Sequence, residues 1–224
     1  MMKLRRKLSG YLDDWRTFPG DAALGYRNEG LRGVRDALVT RTVHRVVRTG
    51  GGVIFAQRLD AAVDVAPPAG VRVAEVTDAD WPALATLVSR RDLARFRRLA
   101  AAGRVCLVAW RETRPIGYAW VADRIGSDVS LCPLPLPAHA AYLWDLYVLP
   151  SERSSGIGSA LARARLAVAR AHGFREGWRL IARANLASLR TLKKSGSDGE
   201  IRTVGEIRFV KLFSRLHARF IPCE

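Results

Sequence analysis

Hydrophobic and polar positions divide the chain into a short helical part and a longer part in which strands and helices alternate. In residues 1–60, apolar side chains recur at helical spacing with arginine and lysine between them, which predicts a helix over about 4–15 and a second over about Asn28–Arg48. The glycine run at 50–52 is expected to end the second helix, and a short strand follows it. Proline, glycine and alanine make 61–70 a predicted linker.

From residue 71 onward the pattern predicts alternating strands and helices. The expected elements, in order, are a strand at 71–76, a helix capped by Thr77 and Asp80, a helix at about 92–101, a hairpin of strands 104–110 and 116–121, a loop at 124–139, a strand at 140–149, a long helix that ends near His172, a strand at 178–184, and two final strands at 200–210 and 212–220. This pattern predicts one domain, which residues 1–60 either join or extend.

The composition narrows the class of protein. Hydrophobic residues make up 49% and charged residues 26% of the 224 positions, which is ordinary for a globular chain. No apolar run approaches the roughly 18 residues that span a bilayer, and the basic start is not followed by the apolar stretch of a secretory signal. Cys106, Cys132 and Cys223 are scattered, which argues against a disulfide framework and a zinc site. We therefore expect a cytoplasmic protein without a metal.

The net charge of +16 is unusual and at first indicates nucleic acid, because phosphate contacts dominate such binding. The basic residues are spread along the chain rather than gathered in one tail, and all but five are arginine, which a GC-rich genome encodes often. We therefore favour another anionic partner over nucleic acid. Residues 1–48 could lie on an anionic membrane surface, which would make the protein membrane-peripheral, or could pack on their own domain with a solvated basic face. We favour packing, and a homodimer stays open.

The segment that carries chemistry runs from the strand at 140–149 through a loop into the long helix. A helix N-terminus collects unpaired N–H groups and the positive end of the helix dipole, and glycine lets a phosphate approach the main chain. The loop Arg153–Gly158 has the pattern R-x-x-G-x-G, and the chain contains neither a P-loop nor a dinucleotide fingerprint. We therefore predict a pyrophosphate-binding loop.

This loop, together with Asn185, Ser188, Lys194 and Gly196 downstream, resembles the acyl-CoA site of the GNAT superfamily of N-acyltransferases. The resemblance covers about residues 71–212 and includes the predicted hairpin and capped helix. It implies an α+β fold with a mixed, mostly antiparallel central sheet flanked by helices. The predicted organisation is then a basic helical extension at 1–60, the linker at 61–70 and a GNAT-like acyl-CoA-binding domain at 71–224.

The resemblance also implies which residues bind acetyl-CoA or another acyl-CoA. Backbone groups at the end of the strand would pair with the pantetheine arm, and those groups belong to Leu146, Tyr147 and Val148. The loop amides, helped by the Arg153 side chain, would bind the pyrophosphate, and this set comprises Arg153, Ser154, Ser155, Gly156, Ile157 and Gly158. Asn185, with Ser188 in the same signature, would bond the pantetheine or the backbone beside it. Asn185 can equally cap a helix.

The sequence departs from the family pattern on the second signature and on the strand. Leu192 stands where the family usually has the tyrosine that protonates the leaving thiolate, so another group or water must supply that proton. On the strand the family often has adjacent carboxylates, whereas here Trp144 precedes a single carboxylate, Asp145. Alternation would place Asp145 on the same face as Leu143 and Tyr147. Desolvation in an apolar strand would raise its pKa, which suits a general base that takes a proton from the attacking amine.

Asp145 could instead orient the substrate or serve a structural role, and Glu75, Glu152 and His139 are weaker candidates for the base. The chain as a whole is predicted to be an N-acyltransferase that acts on an amine of a small molecule or polypeptide. Among the acyl groups, acetyl is the one we favour. Two alternatives remain: a non-catalytic protein of the same fold that binds CoA or an anionic partner, and a basic nucleic-acid-binding protein.

Overall fold

The computed structural model describes residues 17–43, 47–60, 66–126, 129–130, 134–194, 199–213 and 215–223. The helix expected at 4–15, the first half of the predicted linker, Cys132 and Gly196 lie outside these ranges. The described elements are α1 (Phe18–Glu29), α2 (Leu31–Arg41), β1 (Val47–Arg58), β2 (Val71–Glu75), α3 (Trp81–Leu84), α4 (Arg90–Ala101), β3 (Val105–Arg111), β4 (Arg114–Ala122), β5 (Ala140–Val148), α5 (Ile157–Ala171), β6 (Glu176–Ile181), α6 (Leu186–Lys194), β7 (Ile201–Leu212) and β8 (Arg215–Pro222).

The strands form one eight-stranded sheet in the order β2-β3-β4-β5-β6-β1-β7-β8. Every neighbouring pair is antiparallel except β5 and β6, which are parallel. The predicted α+β class with a mixed, mostly antiparallel sheet is therefore confirmed. The capping box of Thr77 and Asp80 is confirmed as well, although the helix it starts is short and begins with a turn of 3-10 helix.

Helices cover both faces of the sheet beside β4 and β5. On one face, a Cβ on Gly117 would lie 3.2 Å from the Leu161 side chain of α5. On the other face, the ring of the next residue, Tyr118, meets the ring of Phe96 of α4 at 4.9 Å between centroids. Because successive strand residues point to opposite faces, α4 and α5 lie on opposite sides of the sheet. Within the described ranges, none of the helices is both long enough and apolar enough to cross a membrane.

Strand β1 lies inside the sheet, and here the structure differs from the sequence prediction. The glycines at 50–52 do not end a helix: α2 ends at Arg41, and the glycines lie within β1, between β6 and β7. A Cβ at Gly51 would meet the carbonyl oxygen of Ile207 at 2.3 Å, and a Cβ at Gly52 would meet that of Ile181 at the same distance. The glycines therefore permit a close approach of three strands.

The position of β1 also changes the expected organisation of the chain. Residues 47–58 pair with β6 on one side and β7 on the other, and Ile54 is fully buried. This part of the predicted extension is thus a central strand of the same sheet that contains the strands of residues 71–222. The division elsewhere stays a prediction.

Candidate functional site

The central feature of the site is a cleft between the parallel strands β5 and β6. The two strands pair only from Ala140 to Tyr142 against Glu176 to Trp178, and beyond that point they separate. The space between them is a cavity of about 210 Å³ lined by both strands, by α5 and by α6. The edge of β5 that faces this cavity therefore carries backbone groups that β6 does not pair. These free groups lie on the part of β5 with Leu146, Tyr147 and Val148, the residues that the family resemblance assigned to the pantetheine arm.

A bulge in β5 lies close to the point where the two strands begin to separate. Tyr118 of β4 pairs with Tyr147 and Trp120 pairs with Trp144, so Asp145 and its successor together oppose a single residue of β4. Asp145 has a φ of 49°, in the left-handed region that aspartate and asparagine tolerate better than most other side chains. The extra residue breaks the alternation of the strand.

The bulge corrects the predicted orientation of Asp145. Leu143 packs with Leu166 on the α5 side of the sheet. The carboxylate of Asp145 instead reaches Arg95 and Tyr118 on the α4 side. The prediction that Asp145 shares a face with Leu143 is therefore wrong, because strict alternation does not hold across a bulge. Tyr147 stacks on Tyr118 at 5.6 Å between centroids, so this residue does share the face of Asp145.

The surroundings of Asp145 favour its protonated form. The Arg95 Nη2 lies 3.5 Å from Oδ2, and the Tyr118 hydroxyl donates to Oδ1 at 3.4 Å. Burial raises the pKa of Asp145, and the nearby Arg95 guanidinium opposes that rise without cancelling it. A carboxylate with a raised pKa at the end of a cleft is suited to accept a proton from an amine.

The loop between β5 and α5 has the conformation of an anion cradle. Ser154 and Gly156 have φ values of 65° and 88°, and α5 begins at Ile157 without a side-chain cap on its first turn. The first amides of a helix have no intrahelical acceptor, so the amides near Gly158 point toward the space in front of the loop. A phosphate there would meet both these donors and the helix dipole. The loop thus fits the pyrophosphate of an acyl-CoA.

Arg153 starts this loop, and its side chain is held by several groups. The guanidinium donates from Nε to the carbonyl of Val148 at 3.1 Å and lies 5.9 Å from the centroid of the Tyr147 ring. Its Nη2 contacts the carboxylate of Glu29, the last residue of α1, at 3.1 Å. The hydroxyl of Ser155 donates to the carbonyl of Glu152. The predicted pyrophosphate ligand Arg153 is therefore near the loop, paired with a carboxylate from the N-terminal helices.

The downstream signature lies on the other wall of the cleft. Asn185 and Ser188 both line the cavity, and the Asn185 Oδ1 accepts the backbone N–H of Ser188 at 3.1 Å. Asn185 therefore caps α6, which confirms the prediction that it can serve as a helix cap. Leu192 is buried at 4% exposure and offers no proton to a thiolate.

The weaker candidates for a general base are engaged elsewhere. Glu152 accepts a hydrogen bond from Arg111 at 2.9 Å, and His139 lies 3.7 Å from a carboxylate oxygen of Glu176. Glu75 is on β2, at the edge of the sheet and three strands away from β5. Within the described ranges, no group of three or more His, Cys, Asp and Glu side chains could bind a metal.

Four site residues were not predicted from the sequence: Arg95, Tyr118, Arg165 and Arg179. Only one of them could have been identified from the sequence pattern. Arg165 falls four residues after Leu161, on the apolar side of α5, and an arginine at an apolar helical position indicates a special role. The others come from separate elements that only the fold brings to the cleft.

Comparison with known proteins agrees with this geometry. The model of the acetyltransferase (GNAT) family matches residues 72–196, more than half of the chain. The X-ray structure of a Drosophila protein superposes with a TM-score of 0.51 at 18% identity, covering 85% of this chain and 59% of the Drosophila chain. A GCN5-related N-acetyltransferase from Sphaerobacter thermophilus gives 0.47 at 14% identity, covering 84% and 57%. The yncA protein of Salmonella typhimurium, solved with its cofactor acetyl-CoA, gives 0.43 at 21% identity, covering 57% and 79%.

The matched segment includes the loop Arg153–Gly158 and Asn185, and the chain belongs to the acetyltransferase (GNAT) family. The likeness to the Drosophila structure supports the fold alone, and this chain spans less than two thirds of that protein and of the Sphaerobacter one. Comparison with curated proteins found no match. Membership in the family supports an N-acetyltransferase-type role, with acetyl-CoA as the donor that the family uses.

Proposed function

We propose that this protein transfers the acyl group of an acyl-CoA, with acetyl-CoA as the first donor to test, to an amine. The observation that carries the proposal is the alignment of the cleft with the loop. The splay between β5 and β6 starts beside the bulge at Asp145, and β5 runs from there to the phosphate-binding loop at Arg153–Gly158. One extended ligand with an anionic end and a reactive end fits this arrangement.

In the proposed reaction, the pantetheine arm lies along the free edge of β5 and pairs with backbone groups of Leu146 to Val148. A backbone N–H at the bulge donates to the thioester oxygen and stabilises the negative charge that develops there. The neutral amine attacks the thioester carbon, a C–N bond forms, and the C–S bond breaks. Asp145 accepts the proton that the amine loses. The thiolate takes its proton from water, because Leu192 has none to give.

The N-terminal helices contribute to the proposal through their contacts with the domain. Asn28 donates to the carbonyl of Leu87 at 3.2 Å, and Glu29 pairs with Arg153. These contacts support packing of α1 on its own domain over binding to a membrane surface. The acceptor amine, the cytoplasmic location and the oligomeric state remain predictions.

The experiment is an acyl-transfer assay with acetyl-CoA and a panel of amines, amino acids and peptides, in which release of the CoA thiol is measured. We expect at least one acceptor to give turnover that Asp145→Asn reduces strongly. A protein that binds CoA and turns over none of the panel would instead support the non-catalytic alternative, which the leucine at position 192 favours.

A further inference from the structure

Two buried arginines line the cleft, one from α5 and one from β6. Arg165 of α5 is 5% exposed and Arg179 of β6 is 4% exposed, and both line the cavity between β5 and β6. Arg165 donates from Nη1 to the carbonyl of Trp144 at 3.3 Å, and Arg179 donates from Nη2 to the side-chain oxygen of Gln57. Both of these acceptors are neutral.

The described neighbours of Arg165 satisfy it only in part. Among the described residues, Asp145 is the carboxylate that lines the cavity, and while it attracts the Arg165 guanidinium it also contacts Arg95 and Tyr118. The Nε of Arg165 is buried and has no hydrogen-bond partner among the described residues. Burial and the neighbouring Arg179 guanidinium lower the pKa of Arg165 to about 9. A buried guanidinium with an unpaired N–H is costly unless a further acceptor compensates it.

The position of Arg165 indicates which part of a ligand it would meet. The Trp144 carbonyl lies two residues before Leu146, toward the closed end of the cleft. With the thioester beside Leu146 and the bulge, the guanidinium of Arg165 lies beyond the reacting carbon. An anionic group at that place belongs to the far end of the acyl chain or to the acceptor.

We propose that Arg165 binds a carboxylate of a substrate at the closed end of the cleft. The guanidinium group suits this task because its parallel N–H donors match the two oxygens of a carboxylate. The carboxylate has two chemical sources: the distal carboxylate of a dicarboxylic acyl group, or the carboxylate of an amino-acid acceptor. The inference rests on the proposed acyl transfer.

Two arms of one experiment on the wild-type protein distinguish the sources. In the donor arm, calorimetry compares free CoA, acetyl-CoA, butyryl-CoA and succinyl-CoA. If the acyl group supplies the carboxylate, succinyl-CoA should bind at least about tenfold more tightly than the neutral butyryl-CoA. In the acceptor arm, acetyl transfer to lysine, glutamate and phenylalanine is compared with transfer to the amines left by their decarboxylation. If the acceptor supplies the carboxylate, the KM of each amino acid should be at least about tenfold lower than the KM of the corresponding decarboxylated amine.

Variants of Arg165 test whether this residue causes the preference. Arg165→Met removes the charge and keeps much of the volume, and we expect it to abolish the preference for the carboxylate while free CoA binds as before. Its Tm should stay the same or rise, because a desolvated cation beside Arg179 is gone. Arg165→Lys, which keeps a cation, should retain part of the preference. Arg170→Met, an exposed arginine of the same helix, is the matched control and should change neither property.

The outcomes separate the two proposals. If free CoA binds and neither arm shows a preference for a carboxylate, the carboxylate site is overturned and the acyl-transfer proposal stands. If Arg165→Met loses stability but keeps the preference, Arg165 only supports β5 through the Trp144 carbonyl, and its assignment as a ligand is overturned. If neither CoA nor any acyl-CoA binds, the proposed function itself fails, and the carboxylate site fails with it.

Discussion

The guanidinium of Arg153 and the carboxylate of Glu29 form an ion pair at 3.1 Å, which joins the phosphate-binding loop to the C-terminal end of α1. Arg153 is the side chain that the R-x-x-G-x-G pattern assigns to the pyrophosphate. Glu29 is an anion at the same guanidinium, so a pyrophosphate bound at Arg153 would compete with Glu29 for it. The N-terminal helices thus contact the loop directly, which the sequence pattern did not indicate.

Replacement of Glu29 with glutamine should therefore strengthen the binding of CoA. The change keeps the size of the side chain and removes a negative charge near the loop. The gain should be modest, about two- to fivefold, because the pair is partly exposed to solvent. Calorimetry with free CoA measures it, and Asp36→Asn on α2 is the control, since it also removes one negative charge from the N-terminal helices. Equal or weaker binding by the Glu29 variant would show that Glu29 does not compete.

The glycines of the loop differ in what a side chain would do there. Gly156 has a φ of 88° and a Cβ there would lie 3.3 Å from Pro68, so replacing both glycines with valine would strain the fold as well as block the ligand. A Cβ on Gly158 would meet only Val148, at an ordinary 3.9 Å.

Gly158→Val is therefore the cleaner variant. It should lower the affinity for CoA by at least about tenfold, because a side chain on the first turn of α5 hinders the approach of the pyrophosphate to the amides. Circular dichroism and a melting curve should match the wild-type protein. Unchanged affinity in this folded variant would remove the loop from the CoA site.

Asp145→Asn should lower turnover by roughly 10²-fold if the carboxylate is the base. The pKa of Asp145 is higher in the folded than in the unfolded protein, so folding favours the protonated carboxyl group. The stability that Asp145 contributes is therefore lost as the pH rises through its folded-state pKa. The neutral asparagine should therefore leave the Tm at pH 8 unchanged or higher, and asparagine tolerates the left-handed backbone of the bulge. Steady-state kinetics and melting curves at pH 5 and pH 8 test both points. A stable variant with near-normal turnover would exclude Asp145 as the base.

The pH dependence of acyl transfer by the wild-type protein should report the titration of Asp145. We expect kcat/KM to rise with pH through a pKa above the ordinary aspartate value of 3.8. Arg95 holds that pKa down, so Arg95→Met should move the acid limb of the profile to higher pH. Arg97→Met, on the exposed side of the same helix, is the control and should leave the profile in place. If the acid limb of the profile stays in place in Arg95→Met, a group other than Asp145 controls the pH dependence of the rate.

Truncation distinguishes the N-terminal helices from the strand that follows them. Removal of residues 1–60 should abolish folding, because it takes away β1 with the fully buried Ile54 and exposes the edges of β6 and β7. Removal of 1–43 leaves the strand in place, and the protein should still fold and bind CoA. Gel filtration and circular dichroism of the two truncated proteins provide the comparison. A folded 61–224 fragment would restore the division that the sequence suggested.

The sequence by itself determined the features that depend on neighbours along the chain. The loop Arg153–Gly158, the capping box at Thr77 and the hairpin of β3 and β4 are local, since a few consecutive residues specify a turn, a helix start or an alternating strand. The strand–loop–helix order also made a pyrophosphate site a physical expectation before the fold was known. Membership in the acetyltransferase family followed from the same local residues.

Tertiary structure decided the features in which distant elements meet. The glycines at 50–52 looked like the end of a helix, and only the backbones of β6 and β7 against them show why they have no side chain. The bulge at Asp145 reverses a face that strict alternation would assign, because the extra residue is defined by the pairing with β4. Arg165 and Arg179 line a cleft that exists only because two parallel strands separate. Hydrogen bonding between strands and burial of charge depend on neighbours in space, and the order of residues along the chain does not specify those neighbours.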